Sequence, residues 1–533
     1  MVSLPDLWQN LLTTSKSDEI FSLETADGSF VSYRVDSFLS RTRKVATAFR
    51  EKLKVVPGSR VALLIDDPAE FAPVAHAMWF LRAVVVHLSS SYSDQQLTEV
   101  IDNTSTQIVV FSLPLVARIA KITPKAPGVR EWVVSGSAAA NQESSMSTVE
   151  GLISGVSESD EMLDSVIGSD LALVSFTRGS RGPRFGVGFN QEQLVANIMR
   201  GKQYLQRKKG AVWNLVSLNS YFGMMHSFLI PFFAGRRSIV NSNIDLNDFW
   251  ELIKLEKIQS VVLDSSQLGS IVSNKKIAKD AKASSLTEVY LYPSGAPADH
   301  LSLFFEETGI PIYLMYGSTE LGGVVTCASD QQYALSDTST NAKLSYSKSG
   351  FPLTGVEVVV RNEKRGLIDE EEVGDVLVRV AGLMVSYMAT EPGAAKYTDD
   401  GYLSTGDLGY FLVESDGRRQ FVIVGRKEEI LRRGDKFINI STIAEIVQSL
   451  PGILIARSVA FKNVYTAFEI GLYVLIEASS KITKSDVMLH LSDRVDHELL
   501  PKVLILTKAD ESSNVETTND VERLFDKYEN VRF

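Results

Sequence analysis

Short runs of β-branched residues recur along this chain of 533 residues, and they restrict the possible folds more than any other feature. Each run is almost continuously apolar, which is typical of strands buried on both faces of a parallel sheet. Five such runs lie at residues 61–66, 107–112, 131–135, 260–265 and 288–292. Between them are segments with helical spacing, such as the one in which Val45, Phe49 and Leu53 recur at every fourth position. Asp36 and Ser37 precede that pattern and predict the start of its helix. Strands that alternate with helices predict an α/β architecture.

The pattern changes twice in the second half of the chain. After Gly350, apolar and polar residues alternate between turn signals, which predicts an antiparallel meander. After Gly425, a charged turn precedes mixed helix and strand patterns. We therefore predict two domains, at residues 1–424 and 425–533.

The charge and composition exclude several classes of protein. A formal net charge of -11 argues against a nucleic-acid partner, because phosphate neutralisation needs clustered lysines and arginines. The single cysteine, Cys327, is predicted to be a small buried side chain; it excludes a disulfide framework and favours a reducing compartment such as the cytoplasm. The longest apolar stretch, residues 220–235, is shorter than the ~20 residues of a membrane span and contains Pro231. It predicts a buried helix against a sheet, and no transmembrane segment.

A glycine-rich, basic loop lies at residues 176–190. It combines small residues with cations: Gly179, Ser180, Gly182, Gly186 and Gly188 with Arg178, Arg181 and Arg184. A glycine-rich turn lets backbone N–H groups point at an anion, and neighbouring cations add charge-assisted hydrogen bonds. By itself the loop is equally consistent with a basic surface hairpin.

Four further motifs follow the loop along the chain. They are Ser294-Gly295-Ala296-Pro297, Tyr316-Gly317-Ser318-Thr319-Glu320, Ser404-Thr405-Gly406-Asp407-Leu408-Gly409 and Gly425-Arg426-Lys427-Glu428-Glu429-Ile430. In this order, and together with the loop, they resemble the adenylate-forming enzymes, which include acyl-CoA synthetases, adenylation domains and luciferases. The resemblance spans roughly residues 20 to 500.

The resemblance implies a fold and a set of ligands. The fold is α/β, with a large N-terminal domain of parallel α/β sheets plus a small β-barrel-like subdomain, and a small, mobile α+β C-terminal domain. The cofactors are ATP and Mg²⁺, with CoA as co-substrate. The partners are a carboxylic acid and either CoA or a carrier-protein thiol.

The resemblance also assigns roles to single residues. Tyr316 would stack on adenine, Thr319 would bond the α-phosphate, and Glu320 would hold Mg²⁺, a hard cation that suits a carboxylate. Asp407 would accept hydrogen bonds from both ribose hydroxyls, and Arg426 would face the ribose and phosphates. The other implied nucleotide-binding residues are Thr177, Gly179, Ser180, Arg181, Gly182, Gly295, Ala296, Pro297, Gly317 and Ser318.

Some positions depart from the family pattern. In the loop, Phe185 replaces a lysine, and we expect Arg181 or Arg184 to restore the lost charge, since arginine also clamps phosphate. Of the two, Arg184 is the candidate catalytic residue. Near the C-terminus, Glu516 stands where the family has a lysine that reaches the α-phosphate. Losing one such donor typically costs ~3–4 kcal/mol of transition-state stabilisation.

Two functional hypotheses follow. The first is an acid–thiol ligase that forms an acyl adenylate, turns its C-terminal domain about Glu428, and passes the acyl group to CoA, with a carrier protein or an amine as alternative acceptor. The second is a catalytically weakened pseudoenzyme that binds nucleotide or an acyl group, or scaffolds a partner. A metal-dependent hydrolase is excluded because the six histidines lack ligand spacing.

Overall fold

The structure is a computed structural model. It describes residues 3–15, 18–24, 30–136, 146–159, 167–177, 185–205, 209–240, 246–273, 281, 284–293, 298–327, 347–362, 366–368, 372–388, 397–413, 417–433, 436–448, 450–492, 494–509 and 518–532. No helix within these ranges has both the length and the apolar character that crossing a membrane requires.

The first part of the chain alternates strands and helices. Its strands are β1 (Glu19–Glu24), β2 (Phe30–Arg34), β3 (Arg60–Leu64), β4 (Val84–His87), β5 (Ile108–Ser112), β6 (Glu131–Ser135), β7 (Ser147–Thr148), β8 (Leu171–Phe176), β9 (Gly186–Asn190), β10 (Ala211–Asn214), β11 (Ser238–Val240), β12 (Ile258–Leu263), β13 (Glu288–Leu291), β14 (Ile312–Ser318) and β15 (Gly323–Cys327). Its helices are α1 (Leu4–Ser15), α2 (Val35–Lys52), α3 (Pro68–Phe80), α4 (Asp94–Asn103), α5 (Val116–Ile122), α6 (Val149–Ile153), α7 (Gln191–Leu205), α8 (Tyr221–Met224), α9 (Ile230–Phe233), α10 (Phe249–Leu255), α11 (Ser265–Val272) and α12 (Ala298–Thr308).

The remainder is richer in strands. Its strands are β16 (Ser347–Pro352), β17 (Val356–Asn362), β18 (Gly366–Ile368), β19 (Gly374–Val380), β20 (Tyr387–Met388), β21 (Leu403–Val413), β22 (Arg419–Arg426), β23 (Ile430–Arg433), β24 (Lys436–Asn439), β25 (Ile453–Asn463), β26 (Ala467–Ile476) and β27 (Val503–Lys508). Its helices are α13 (Ser441–Gln448), α14 (Lys484–Ser492) and α15 (Thr518–Phe525). Short 3₁₀ turns lie at Leu113–Leu115, Thr123–Lys125, Leu246–Asp248, Lys427–Glu429, His497–Leu499 and Asp526–Tyr528.

Helix α2 confirms the predicted spacing. Val45 and Phe49 are fully buried on its inner face. Asp36 and Ser37 lie in its first turn, where Ser37 Oγ accepts the backbone N–H of Arg34 at 3.2 Å. A free N–H next to the start of the helix is thereby satisfied by a side chain.

The first sheet has the strand order β20-β9-β8-β4-β3-β5-β6-β7. Neighbours from β8 through β7 pair in parallel, whereas β9 and β20 are antiparallel to their neighbours. The apolar runs predicted at 61–66, 107–112 and 131–135 are β3, β5 and β6, and these strands are buried at nearly every position. The predicted parallel strands are confirmed.

The second sheet has the order β18-β17-β19-β21-β22-β16-β15-β14-β13-β12-β10-β11-β1-β2. Strands β10 to β14 pair in parallel, and the predicted runs at 260–265 and 288–292 are β12 and β13. From β15 to β18 the pairing is antiparallel, which confirms the meander after Gly350. Strand β14 therefore lies where the parallel part of the sheet meets the antiparallel subdomain.

The segment predicted as a buried helix belongs to a core shared by both sheets. It forms α8, then a π-helical turn at Met225–Leu229, then α9. Pro231 lies in the first turn of α9 and has no N–H to donate, which favours the change in hydrogen-bonding period. Phe228 packs on Phe71 of α3, with ring centroids 6.0 Å apart.

The C-terminal part has its own core. Strands β25, β26 and β27 form a separate sheet, and Ile443 and Val447 of α13 pack in one cluster with Leu472 of β26 and Leu491 of α14. The α/β fold with a large N-terminal and a smaller C-terminal domain is thus confirmed. The division at residue 425 stays a prediction; strand β22 of the second sheet runs to Arg426.

Candidate active site

The hairpin of β14 and β15 carries the Y-G-S-T-E motif at its tip. Tyr316 and Gly317 lie in β14, separated by a bulge, and Thr319 and Glu320 form the turn into β15. Only glycine fits at position 317, because a Cβ there would lie 2.1 Å from the carbonyl oxygen of Gly323. Thr319 and Glu320 are partly exposed, so their side chains can meet a ligand at the turn.

A second hairpin brings Asp407 to this tip. Asp407 of β21 is the register partner of Arg426 of β22. Tyr316 Oη donates to Asp407 Oδ2 at 2.6 Å, and Arg426 Nε lies 3.2 Å from Asp407 Oδ1. Thr405 completes the arrangement: its carbonyl oxygen accepts from Arg426 Nη1 at 2.7 Å, and its hydroxyl accepts the N–H of Asp407 at 3.0 Å. Residues 91 positions apart therefore share one buried hydrogen bond.

Burial and charge oppose each other at this carboxylate. Asp407 is 6% exposed, and burial raises its pKa, whereas Arg426 beside it acts to lower the pKa. Burial, and then the neighbouring Asp407, raise the pKa of Tyr316, so the phenol keeps its proton and acts as donor. Asp407 Oδ2 accepts one hydrogen bond from Tyr316, and Oδ1 contacts Arg426. Each oxygen therefore has a further lone pair that can accept a hydrogen bond from a ligand hydroxyl.

Tyr316 makes contacts that the resemblance did not predict. Its hydroxyl holds Asp407, and its ring lies 5.5 Å from that of Phe421 on β22. The predicted stacking of this ring on adenine remains a prediction. The side chain also ties the parallel part of the second sheet to the antiparallel subdomain.

Glu320 has a partner that the motifs did not identify. Tyr387 Oη donates to Glu320 Oε1 at 3.1 Å. Tyr387 lies in β20 opposite Val187 of β9, the strand that follows the glycine-rich loop. Tyr387 was not predicted from the sequence, because a single tyrosine in a short edge strand carries no distinctive pattern.

The structure describes the base of the glycine-rich loop. Thr177 and Phe185 face each other: the N–H of Thr177 donates to the carbonyl of Phe185 at 3.0 Å, and the N–H of Phe185 donates to Thr177 Oγ1 at 3.2 Å. The candidate residues outside the described part of the chain are Gly179, Ser180, Arg181, Gly182, Arg184, Gly295, Ala296, Pro297 and Glu516. Their roles stay predictions.

Arg200 of α7 was also missed, and it braces the turn that follows Glu320. Its guanidinium is buried and donates to four backbone carbonyls at 2.8–2.9 Å, those of Leu321, Gly322, Val324 and Ala381. Burial lowers its pKa. A charged residue among the apolar positions of a helix is the signal that could have identified it.

Asn197, one turn earlier on the same helix, packs against two glycines of the braced segments. Its Nδ2 donates to Tyr221 Oη at 3.0 Å and to the carbonyl of Gly382 at 3.1 Å. A Cβ at Gly322 or Gly382 would lie 2.3 Å or 2.0 Å from the Asn197 side chain, and both glycines have positive φ. Helix α7 thus links the strand after the glycine-rich loop with the turn that carries Glu320.

Comparison with known proteins identifies the family. The model of the AMP-binding enzyme family matches residues 17–388, which is more than half of the chain and includes both Thr177 and Glu320. The chain belongs to the AMP-binding enzyme family. The predicted resemblance to adenylate-forming enzymes is thereby confirmed.

Relatives of this AMP-binding enzyme match over nearly the whole chain. A putative acyl–CoA ligase, YdaB of Bacillus subtilis (strain 168), is 23% identical over 512 residues, covering 95% of this chain and 96% of the relative. A 2-succinylbenzoate–CoA ligase of Staphylococcus aureus (strain JH9) is 21% identical over 465 residues, covering 86% and 88%. The solved structure of the anthranilate CoA ligase AuaEII in complex with anthranoyl-AMP has a TM-score of 0.76 at 15% identity, covering 95% and 93%. These findings support the acid–thiol ligase hypothesis over the pseudoenzyme hypothesis.

Proposed function

We propose that this protein is an acyl-CoA ligase that works in two steps. In the first, an oxygen of a carboxylate attacks the α-phosphorus of ATP, the bond to pyrophosphate breaks, and an acyl adenylate forms. In the second, the sulfur of CoA attacks the acyl carbon and AMP leaves. The observation that carries the proposal is the convergence of Glu320, Asp407 and Arg426 at the ends of two hairpins, with the Thr177–Phe185 loop base linked to Glu320 through Tyr387.

The described residues fit a nucleotide. Asp407 is ionisable, buried and flanked by a cation, and its spare lone pairs suit two neighbouring ribose hydroxyls. Arg426 is held by Thr405 and Asp407 with donors left over for phosphate oxygens. Thr319 would bond the α-phosphate and Tyr316 would face adenine, together with Gly317 and Ser318 of the same strand. From the loops, Thr177 and the residues implied by the resemblance would contribute, with Arg184 supplying the charge that Phe185 lacks.

Glu320 fits Mg²⁺ better than a metal that needs a full protein cage. Within the described ranges, no group of three or more His, Cys, Asp or Glu side chains could hold an ion. Glu320 offers carboxylate oxygens at a partly exposed turn. Mg²⁺ typically binds through one or two carboxylates and keeps water and substrate phosphates as its other ligands. When bound, the ion would neutralise charge on the phosphates.

The C-terminal domain would begin at residue 425 and turn about Glu428 between the two steps. CoA is the proposed acceptor, with a carrier-protein thiol as the alternative. The cytoplasm is the proposed compartment, because a chain with one cysteine, Cys327, cannot form a disulfide within itself.

The test of the proposal is ATP-dependent pyrophosphate release across short, medium and long aliphatic acids, aromatic acids and amino acids. We expect release with one class of acid, and a fall of about a hundredfold or more in Glu320→Gln, which keeps the shape of the side chain and removes its charge. Adding CoA should then yield the corresponding thioester. No release above the Glu320→Gln background from protein that still binds ATP would contradict the ligase and favour the pseudoenzyme.

Replacing Asp407 by asparagine should weaken ATP binding about 10- to 100-fold, because hydrogen bonds to a charged group are each worth about 1.5–3 kcal/mol. Asparagine still accepts from Tyr316, so the hairpins should stay together. Isothermal titration calorimetry measures the affinity. Asp375→Asn is the matched control: Asp375 of β19 pairs with Lys427, in the 3₁₀ turn after β22, at 2.9 Å, and within the described residues no hydrogen bond or ion pair joins Asp375 to Asp407. An unchanged affinity in Asp407→Asn would refute the ribose role.

A further inference from the structure

Tyr387 makes the hydrogen bond that orients Glu320. Its Oη donates to Oε1 of Glu320 at 3.1 Å, and within the described residues that carboxylate accepts no other hydrogen bond. Among the residues that the structure describes, none occupies the second oxygen, Oε2, which leaves it for a ligand. A carboxylate held by one oxygen loses less rotational freedom when its other oxygen binds an ion.

The backbone around Tyr387 is anchored to both sides of the site. The N–H of Met384 donates to the carbonyl of Glu320 at 3.0 Å. Ser386 and Val385 exchange hydrogen bonds with Gly188 of β9, at 3.0 Å and 2.8 Å. The position of the phenol relative to Glu320 thus follows from main-chain contacts and does not depend on its own hydrogen bond.

The ring of Tyr387 is supported by Phe185. The two ring centroids lie 5.1 Å apart with an interplanar angle of 42°. Phe185 is the residue that stands in place of the family's loop lysine, and it is the first described residue after Thr177. The departure from the family pattern therefore has a structural consequence: an aromatic side chain now packs against the phenol that holds Glu320.

Two charged groups act on this phenol. Burial and the adjacent Glu320 raise the pKa of Tyr387, and Arg426 acts in the opposite direction. The hydroxyl is the donor in its 3.1 Å hydrogen bond to Glu320. Arg426, Glu320 and Asp407 interact with one another electrostatically and so share one environment.

We propose that Tyr387 is a positioning residue, whose hydroxyl holds Glu320 in the orientation that receives Mg²⁺ with ATP, and that Phe185 supports its ring. This inference rests on the proposed role of Glu320 as the magnesium ligand. It goes beyond that role because it assigns the orientation of the Glu320 carboxylate to Tyr387 and Phe185, which lie outside the Y-G-S-T-E motif.

The test compares ATP affinity in excess Mg²⁺ with ATP affinity in excess EDTA, both measured by isothermal titration calorimetry. In Tyr387→Phe we expect the gain in affinity from Mg²⁺ to shrink about tenfold, with the metal-free affinity within about twofold of wild type. Tyr397→Phe is the matched control: Tyr397 Oη donates to the carbonyl of Met384 at 2.9 Å, in the same segment, and does not touch Glu320. Phe185→Leu removes the ring but keeps the side chain apolar. It should lower the gain in ATP affinity from Mg²⁺ by a smaller factor than Tyr387→Phe does.

Four outcomes separate the possibilities. If Mg²⁺ raises the ATP affinity of Tyr387→Phe as much as that of wild type, or more, the inference is overturned. It is also overturned if Tyr397→Phe loses as much of the Mg²⁺-dependent ATP affinity as Tyr387→Phe does, because that result would point to packing of the segment. A wild-type protein whose ATP affinity does not respond to Mg²⁺ overturns the inference together with the metal role of Glu320. If Mg²⁺-dependent binding behaves as expected but no pyrophosphate is released, only the ligase activity fails and the role of Tyr387 stands.

Discussion

Replacing Arg200 by methionine should lower the free energy of unfolding by about 3–5 kcal/mol and loosen the turn that carries Glu320. Arg200 is 4% exposed, and its guanidinium donates to two carbonyls of that turn, to the carbonyl of Val324 at the start of β15 and to that of Ala381. Methionine fills much of the same space but donates no hydrogen bond. Each buried carbonyl left without a partner costs about 1–3 kcal/mol, and the removal of a buried charge offsets part of the sum.

The effect should be visible both globally and locally. Urea unfolding followed by tryptophan fluorescence gives the loss of stability, and hydrogen exchange should show lost protection in residues 316–327 and 381–388 before the rest of the fold. Arg200→Lys keeps a charge with fewer donors and should fall between wild type and Arg200→Met.

Lys202→Met is the control for the Arg200 variants, because Lys202 lies on the same helix, is only partly buried, and should change stability by less than about 1 kcal/mol. Full protection of both segments in Arg200→Met would show that the brace is dispensable. Because the braced segments carry Glu320 and Tyr387, we also expect the remaining folded protein to lose Mg²⁺-dependent ATP affinity.

Acidification from pH 7 to pH 5 should remove about 5–6 kcal/mol of stability, because three histidines are buried in the neutral form. Burial lowers the pKa of His76, His87 and His226 to about 4 each, from 6.5. Their rings are almost fully buried. His226 is further held by the carbonyl of Phe222 and the hydroxyl of Tyr204.

The direction of this pH dependence follows from the number of protons that the folded and unfolded states bind. Between pH 6.5 and pH 4 the unfolded chain binds protons on these histidines, whereas the folded protein does not, so the stability present above pH 6.5 falls as the pH falls. Each histidine contributes about 2 kcal/mol between pH 7 and pH 5. The raised pKa of Asp407 acts in the opposite sense and reduces the slope at the acidic end.

Two substitutions at His76 test this account by urea unfolding at pH 7, 6 and 5. The ring of His76 lies among those of Trp8, Phe38 and Trp79, with centroids 5.0–5.3 Å away, so phenylalanine fits the space and glutamine keeps a polar group. The two variants should differ in absolute stability, yet both should lose about one third of the pH dependence. A slope that matches wild type in both variants would exclude His76 as a source of the acid sensitivity.

Much of the architecture could be predicted from local patterns. The strands that became β3, β5 and β6 are apolar at consecutive positions because helices and a second sheet cover them, and their bounds were predicted to within one or two residues. Motif order led to the family, and the substitution at Phe185 was visible in the sequence. Tyr387 and Arg200 were not predicted, since neither belongs to a motif and each acts on residues far along the chain.

The sequence by itself determined the α/β class, the antiparallel meander, the family and most of the candidate residues, because strand and helix periods and turn glycines depend on neighbours only a few positions away. Only the tertiary structure decided which of those residues meet. The Tyr316–Asp407 hydrogen bond joins residues 91 positions apart, and the Tyr387–Glu320 bond joins residues 67 apart. Such pairs follow from the order and register of strands in the two sheets, and those are selected by the packing of the whole core, which no local pattern specifies.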